Sequence, residues 1–236
     1  MKKRLTRLLS TKGMTLVELI VAMFLTSVIL AIALGMLVSV KNLTNTVNSN
    51  AHMDTISSTV GEYIRGTVQT ATSLKFFKSE NKISNFSEFK DDITSFLSNT
   101  DSKAIAVLNI GTDKTPMYRI YEFNKILSFD DLKYNIDLAQ TEPNKLEKEF
   151  GVFREAFYEN TSCAVELYQT DGNRLQVASQ CFRDDKAINQ KHALSFRMLN
   201  YKLTSYEGID GNGVETELDY TEQLTGHCYL ILYIAP

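Results

Sequence analysis

Apolar and polar positions divide the chain into a membrane-length apolar run, a polar stretch with one apolar face, and a mixed remainder. From Leu19 to Val40 the chain has no charged residue. A helix of this length spans about 33 Å, close to the thickness of the hydrocarbon core of a bilayer. Four apolar residues then recur at intervals of four: Ile56, Val60, Ile64 and Val68. Because residues four apart lie on one side of a helix, this pattern predicts that the helix continues to about Thr72 with one apolar face.

The stretch from Asn42 to Asp54 has two interpretations. Its Asn, Ser and Thr residues are poor helix formers, so a flexible linker is one alternative. An uninterrupted helix is the other, and we favour it because Leu43 and Val47 keep a helical spacing. The predicted organisation is an apolar segment at 14–40, an amphipathic helix at 41–72 and a globular domain at 73–236.

The globular domain has short strand and helix signals. The segment "KAIAVLNIGTDKTPMYRIYEFN" predicts two strands about a turn between Gly111 and Thr115. The segment "NKLEKEFGVFREAFYEN" fits a helix broken at Gly151 and also a helix followed by a strand. In the closing apolar strand "HCYLILYIAP", we expect Cys228 to be a buried core residue. These signals predict an α+β domain with an antiparallel sheet, against which the apolar face of the long helix packs.

The segment "CAVELYQTDGNRLQVASQC" predicts a hairpin with two alternative registers. A two-residue loop pairs Thr170 with Asn173, whereas a three-residue loop pairs Thr170 with Arg174. We expect the second register because it places the apolar residues of both strands on one face. It also places Cys163 directly opposite Cys181, within reach of a disulfide. Two small buried thiols explain the same pair equally well.

Charge is distributed unevenly along the chain. The first thirteen residues carry no acid and five basic residues: Lys2, Lys3, Arg4, Arg7 and Lys12. Basic residues accumulate on the cytoplasmic flank of membrane segments, so this cluster predicts a cytoplasmic N-terminus. The rest of the chain contains all 28 acidic residues and is net negative. An acidic domain binds the negatively charged phosphate backbone of nucleic acids poorly, so we expect no nucleic-acid partner for this protein itself.

Three processing outcomes are open for the N-terminus. The chain stays an uncleaved anchor, or signal peptidase cuts after Ala33, or cleavage between Gly13 and Met14 leaves the whole apolar helix on the mature protein. In the last case Glu18 lies four residues after a new positive amine at Met14, within helical reach of it. An acid within a membrane helix costs roughly 2.5 to 3.5 kcal/mol, and a specific partner is the usual reason to retain one.

The segment "KGMTLVELIVAMFLTSVILAIA" resembles the processing segment of type IV prepilins and pseudopilins. The shared features are a short basic leader ending in Gly, a hydrophobic first mature residue and Glu as the fifth. The resemblance implies that a prepilin peptidase removes the leader 1–13 after Gly13, that Met14 is N-methylated, and that Glu18 makes an assembly contact with a neighbouring subunit. Many members of the family have a proline where this chain has Gly35.

The resemblance also implies a fold, a location and partners. The expected fold is pilin-like: a long N-terminal transmembrane-plus-amphipathic helix packed on an antiparallel β-sheet domain. The expected location is the cytoplasmic (inner) membrane with an extracytoplasmic C-terminal domain, where a disulfide is permitted. Expected partners are other pilin or pseudopilin subunits, prepilin peptidase and an assembly platform membrane protein. At 236 residues the chain is larger than many major pilins, which favours a minor pilin or pseudopilin. The alternative is an uncleaved single-pass anchor with a ligand-binding or sensory domain.

Chemical motifs outside the membrane segment are weak. The three histidines lack ligand spacing, so we expect no metal site. The segment "GIDGNGVETELDY", which includes Asp210 and Glu217, has oxygen ligands but not the order of an EF-hand, and a turn between strands explains it better. No nucleophile, phosphate-loop or dinucleotide motif is present. We therefore expect no cofactor and no enzyme.

Overall fold

The structure is a computed structural model that describes residues 15–79, 83–98, 102–112, 115–126, 128–171, 174–183, 186–199, 224 and 228–236. Its helices are α1 (Leu16–Thr70), α2 (Lys90–Leu97), α3 (Phe129–Thr141), α4 (Pro143–Phe150) and α5 (Glu155–Tyr158), and a 3-10 helix (Ile83–Phe89) precedes α2. Its strands are β1 (Ser73–Ser79), β2 (Ser102–Asn109), β3 (Tyr118–Phe123), β4 (Ser162–Asp171), β5 (Arg174–Arg183), β6 (Lys186–Ala187), β7 (His192–Arg197) and β8 (Cys228–Ile234). All their pairings are antiparallel, which confirms the predicted α+β class.

Helix α1 runs without a break through the polar stretch, so the linker interpretation is wrong. It ends two residues before the predicted Thr72. Contacts divide the chain into one unit that ends at Ser49 and a second from Asn50 to Pro236. Within the second unit the helix buries one stripe: Met53, Ile56, Val60, Ile64 and Val68. This stripe includes the four residues whose spacing predicted an apolar face.

The first sheet has the strand order β1-β8-β2-β3, so the last strand of the chain lies between two early ones. Both faces of this sheet are buried. In β8, Ile231 belongs to the core shared with α1, whereas Leu230 and Leu232 belong to a second core shared with α2, α3 and α4. Burial on both faces explains why β8 is an almost continuous apolar run rather than an alternating one.

The second sheet consists of β4 and β5, with β6 and β7 paired to β5. Its hairpin has the register that a buried apolar face predicts, because Cys163 pairs with Cys181 and Leu167 pairs with Val177. The end of the hairpin differs from the expectation. Asp171, rather than Thr170, pairs with Arg174, and an irregularity between Gln169 and Asp171 absorbs the extra residue.

A carboxylate connects α1 to the first sheet. Glu122 on β3 accepts hydrogen bonds from the hydroxyls of Tyr63 on α1, at 2.6 Å, and Tyr233 on β8, at 2.7 Å. Burial, together with the hydrogen bond to Glu122, raises the pKa of Tyr63 well above its ordinary value. Both phenols therefore stay protonated as donors at neutral pH, and the long helix is held to two strands through one acceptor.

Arg119 on β3 joins the first sheet to the segment that precedes the second, from a buried position with 2% of its surface exposed. Its Nε and Nη2 donate to the carboxylate of Glu155 at 2.8 to 3.0 Å. Its Nη1 donates to the backbone carbonyls of Tyr118 and Thr161, and its guanidinium lies 4.1 Å from the ring centroid of Tyr158. The guanidinium group is planar and permanently charged, so its donors match this arrangement of one carboxylate and two backbone carbonyls. Arg119 thereby connects β3 to the segment that leads into β4.

We expect Arg119→Met to lower the free energy of unfolding by about 3 kcal/mol, because it leaves buried carbonyls without their donor. Urea unfolding of the detergent-solubilised chain, followed by circular dichroism, measures the change. Arg65→Met is the matched control: its ion pair with Glu62 leaves the two side chains 39% and 47% exposed, so a change below about 0.5 kcal/mol is expected. Equal losses in the two variants would contradict a structural role specific to Arg119.

Candidate functional site

Helix α1 begins with a reciprocal cap between Thr15 and Glu18. The Thr15 hydroxyl accepts a hydrogen bond from the Glu18 amide at 3.3 Å, and Glu18 Oε2 accepts from the Thr15 amide at 2.9 Å. The Thr15 hydroxyl also donates to the same Oε2 at 3.0 Å. This is a capping box, which satisfies backbone donors that the first turn of a helix leaves without partners. It orients the one carboxylate near the start of the apolar run.

One oxygen of that carboxylate accepts no hydrogen bond from the described part of the chain. Both hydrogen bonds that the Glu18 carboxylate accepts go to Oε2, and among the described residues none donates to Oε1. The Glu18 side chain is exposed. The predicted cleavage pair, Gly13 and Met14, lies outside the described residues. The arrangement at Glu18 therefore has room for a cation, whichever chain supplies it.

The apolar part of α1 makes no core within its own unit. Every residue from Thr15 to Asn48 is exposed, including all the large apolar side chains from Leu16 to Val47. Among the described residues, α1 is the one helix that by length and composition is able to cross a membrane. A surface this apolar requires lipid or other apolar side chains around it.

The hydroxyl groups within the apolar run have partners inside the helix. Thr26 Oγ1 donates to the carbonyl of Ala22 at 2.7 Å, and Ser27 Oγ donates to that of Phe24 at 2.7 Å. Ser39 Oγ donates to the carbonyl of Gly35 at 3.0 Å. An unsatisfied polar group costs several kcal/mol in hydrocarbon, so these back-bonds make the segment compatible with lipid. The helix is continuous at Gly35, where an added Cβ would meet no described atom within 4 Å.

All three cysteines are buried and have free thiols in the structure. Cys163 and Cys181 face each other across β4 and β5. Cys228, as expected, lies in the core, where its Sγ accepts a hydrogen bond from the Asn109 amide at 3.3 Å. Burial raises the pKa of Cys228 to about 11, which makes it an unreactive thiol at neutral pH.

The remaining sequence candidates are dispersed. His52 on α1 lies 3.4 Å from Glu159, while His192 lies on β7. Within the described part of the chain, no three His, Cys, Asp or Glu residues are arranged to hold a metal ion. The loop with Asp210 and Glu217 lies outside the described residues.

Comparison with known proteins identifies the segment that contains the capped carboxylate. The prokaryotic N-terminal methylation motif matches residues 9–34. The chain carries the type IV prepilin signature. No curated protein and no solved structure matches the chain. The prepilin signature covers the leader end, the cap and most of the apolar run, so it coincides with the part of α1 that has no core of its own.

A prepilin signature marks a processed, pilin- or pseudopilin-like structural subunit that is anchored in the cytoplasmic membrane. It implies processing by prepilin peptidase and assembly with other pilin subunits. The fold agrees, since a long N-terminal apolar helix leads into a domain in which it packs on antiparallel sheets.

Thr15 is the residue of this site that the sequence analysis overlooked. The signal was present as "TLVE", a Thr three residues before a Glu at the start of an apolar run. The Met14 amine of the same chain or of a neighbour is the partner that the sequence analysis considers for Glu18, and Thr15 is not considered. The structure adds that the carboxylate of the prepilin signature accepts two hydrogen bonds from Thr15 of its own chain.

We expect Thr15→Ala to weaken the first turn of α1 by about 1 kcal/mol, the usual cost of removing an N-cap hydroxyl. Hydrogen exchange of the detergent-solubilised chain, resolved at the amides of the first turn, should then be about fivefold faster. Thr44→Ala is the control, because its hydroxyl bonds only to the Val40 carbonyl within the helix. Unchanged exchange in Thr15→Ala would show that the cap does not stabilise the helix start.

Proposed function

We propose that this protein is a structural subunit of a type IV pilus-like filament, a minor pilin or minor pseudopilin, that assembles through its N-terminal helix. Prepilin peptidase cuts after Gly13, and Met14 becomes the methylated N-terminus. The apolar segment 14–40 anchors the subunit in the cytoplasmic membrane, with the N-terminus cytoplasmic. The amphipathic segment 41–72 leads into the extracytoplasmic domain 73–236. The segment 14–40 then moves from lipid into a bundle of sister helices.

The observation that carries this proposal is the capped carboxylate at the start of an exposed apolar helix. Glu18 is the only charged residue between Thr15 and Val40, and its Oε1 has no donor among the described residues. Cleavage after Gly13 creates a positive amine on each mature chain. In a bundle of parallel helices, Oε1 of one chain accepts from the amine of a neighbour, and the pair sets the axial register between subunits.

The surface of the segment supports a bundle as its final environment. Large apolar side chains surround the helix, and its hydroxyls are bonded internally, so the same surface suits lipid and neighbouring helices. Transfer between the two environments then costs little for the apolar residues. The carboxylate is the exception, because it gains a specific partner only in the bundle. This difference favours assembly at one register over random association.

The first test is the mature N-terminus itself. Mass spectrometry of the protein from its native membrane should find a chain that begins with N-methylated Met14. An intact Met1 would instead indicate an uncleaved anchor, and a chain beginning at Leu34 would indicate a secreted protein cut by signal peptidase. Either result would overturn the proposal.

The second test separates the charge of Glu18 from its role in the cap. Glu18→Gln keeps an acceptor for Thr15 but removes the charge, so filament incorporation should fall more than about tenfold while membrane insertion is unchanged. Thr15→Ala keeps the charge and should assemble within about threefold of the parent chain. Incorporation is measured by immunoblotting sheared filaments against whole membranes.

Glu62→Ala is the matched control, since Glu62 is another exposed acid on α1 whose contact is a surface pair with Arg65. It should assemble normally. If Glu18→Gln assembled like the control, or if Thr15→Ala failed as completely as Glu18→Gln, the charge would not be the assembly determinant.

A further inference from the structure

The cysteine pair lies at the contact between the β4–β5 hairpin and helix α1. Cys163 and Cys181 are directly opposed in the ladder, and neither has any exposed surface. Both belong to the core that contains the buried stripe of α1. The thiols are therefore covered by the helix when the hairpin is docked against it.

A polar network fixes the helix over the thiols. Cys181 Sγ lies 3.5 Å from the Met53 carbonyl oxygen and 3.5 Å from Ser57 Oγ, both on α1. Asn189 Nδ2 donates to the same two atoms, and Asn189 Oδ1 accepts from the Cys181 amide at 2.8 Å. Ser179 Oγ donates to the Ser57 carbonyl at 2.8 Å. Since buried polar groups are costly to leave unpaired, this network holds the docked helix in one position.

The docked pair has the geometry of a disulfide, but its burial keeps an oxidant away from both thiols. Directly opposed residues in an antiparallel pair have Cα atoms about 4.5 to 5.5 Å apart, within the range of a disulfide. Both thiols have no exposed surface while α1 is docked, so an oxidant in solution does not reach either sulfur. Only a hairpin from which α1 has separated exposes these thiols to an oxidant.

We propose that Cys163 and Cys181 form a disulfide before α1 docks on the hairpin. We call this order of events, oxidation first and docking second, the redox gate. Oxidation takes place on the undocked hairpin and closes one S–S bond, while the two thiols lose two electrons and two protons. A small-molecule or protein disulfide accepts them and is released as two thiols. Docking then buries the disulfide, so the protein made by the native cell carries Cys163 and Cys181 oxidised.

The oxidised hairpin retains the means to dock. Disulfide formation removes the Cys181 thiol hydrogen, but the Met53 carbonyl keeps Asn189 as a donor and Ser57 Oγ keeps the same donor. The inference rests on the proposed function only for the extracytoplasmic compartment that supplies the oxidant. Thiol state is measured without filaments, so a failure of the gate and a failure of the assembly proposal are distinguishable.

The first measurement concerns the protein as the native cell makes it. Membranes are quenched in acid, denatured and treated with a maleimide, with and without prior reduction. The chain has three cysteines, so one modification before reduction and three after it are expected. Three modifications before reduction would show that the pair is not oxidised and would overturn the proposal.

The second measurement tests the order of the two events. Full-length Cys228→Ser chain, synthesised under reducing conditions into detergent micelles, is exposed to oxidised glutathione when folded and when unfolded in denaturant. Oxidation should be more than about a hundredfold slower in the folded chain, because it requires local opening. Equal rates would overturn the gate.

Two variants test whether separation of α1 from the hairpin controls the rate of disulfide formation. Asn189→Ala removes the donor shared by Met53 and Ser57 and should accelerate oxidation of the folded chain about fivefold. Tyr63→Phe removes a bond between α1 and Glu122, away from the cysteines, and should change the rate less than about twofold. If both variants accelerated oxidation equally, global unfolding rather than separation of α1 from the hairpin would set the rate, and the gate would be wrong.

Discussion

The globular unit depends on one constraint, which is that two separate sheets must bury their inner faces against a single helix. No ladder of described residues joins the sheets, and both contribute to the core around the stripe of α1 from Met53 to Val68. Glu122 bonds the helix to the first sheet and Ser179 bonds it to the second. Arg119 on β3 bonds to the carbonyl of Thr161, directly before β4, and so connects the first sheet to the segment that leads into the second. Helix α1 thus packs against both sheets in one core, and it is also the element that bears the prepilin signature.

That double role explains why the composition of α1 changes along its length. A segment surrounded by lipid or by other helices needs apolar side chains on every side, whereas a segment docked on a domain needs them on one. Within the first unit, α1 is exposed and apolar. Within the second unit, α1 buries one apolar stripe and has a polar outer face. Thr and Ser occur in both, because their hydroxyls bond to carbonyls one turn earlier and leave the helix unbroken.

Features set by local periodicity were predictable from the sequence, and features set by distant partners were not. The extent of α1, the strands about Gly111, and the register opposing Cys163 to Cys181 follow from spacing and turn residues. The position of β8 between β1 and β2 has no local signal, because it depends on pairing with two strands that lie far earlier in the chain. The acceptor role of Glu122 is equally hidden, since its two tyrosine donors are 59 and 111 residues away.

The capped carboxylate shows how a charge is compatible with an apolar segment that, in the proposed assembly, moves from lipid into a helix bundle. A charge without hydrogen bonds would lose its water on entering a helix bundle, at a cost of several kcal/mol. The two bonds from Thr15 belong to the same chain as Glu18, so they accompany the carboxylate through any change of surroundings. Only Oε1 then needs a new partner. The cap has already oriented the carboxylate. The free energy of the contact at Oε1 therefore distinguishes a correctly aligned neighbour from a misaligned one.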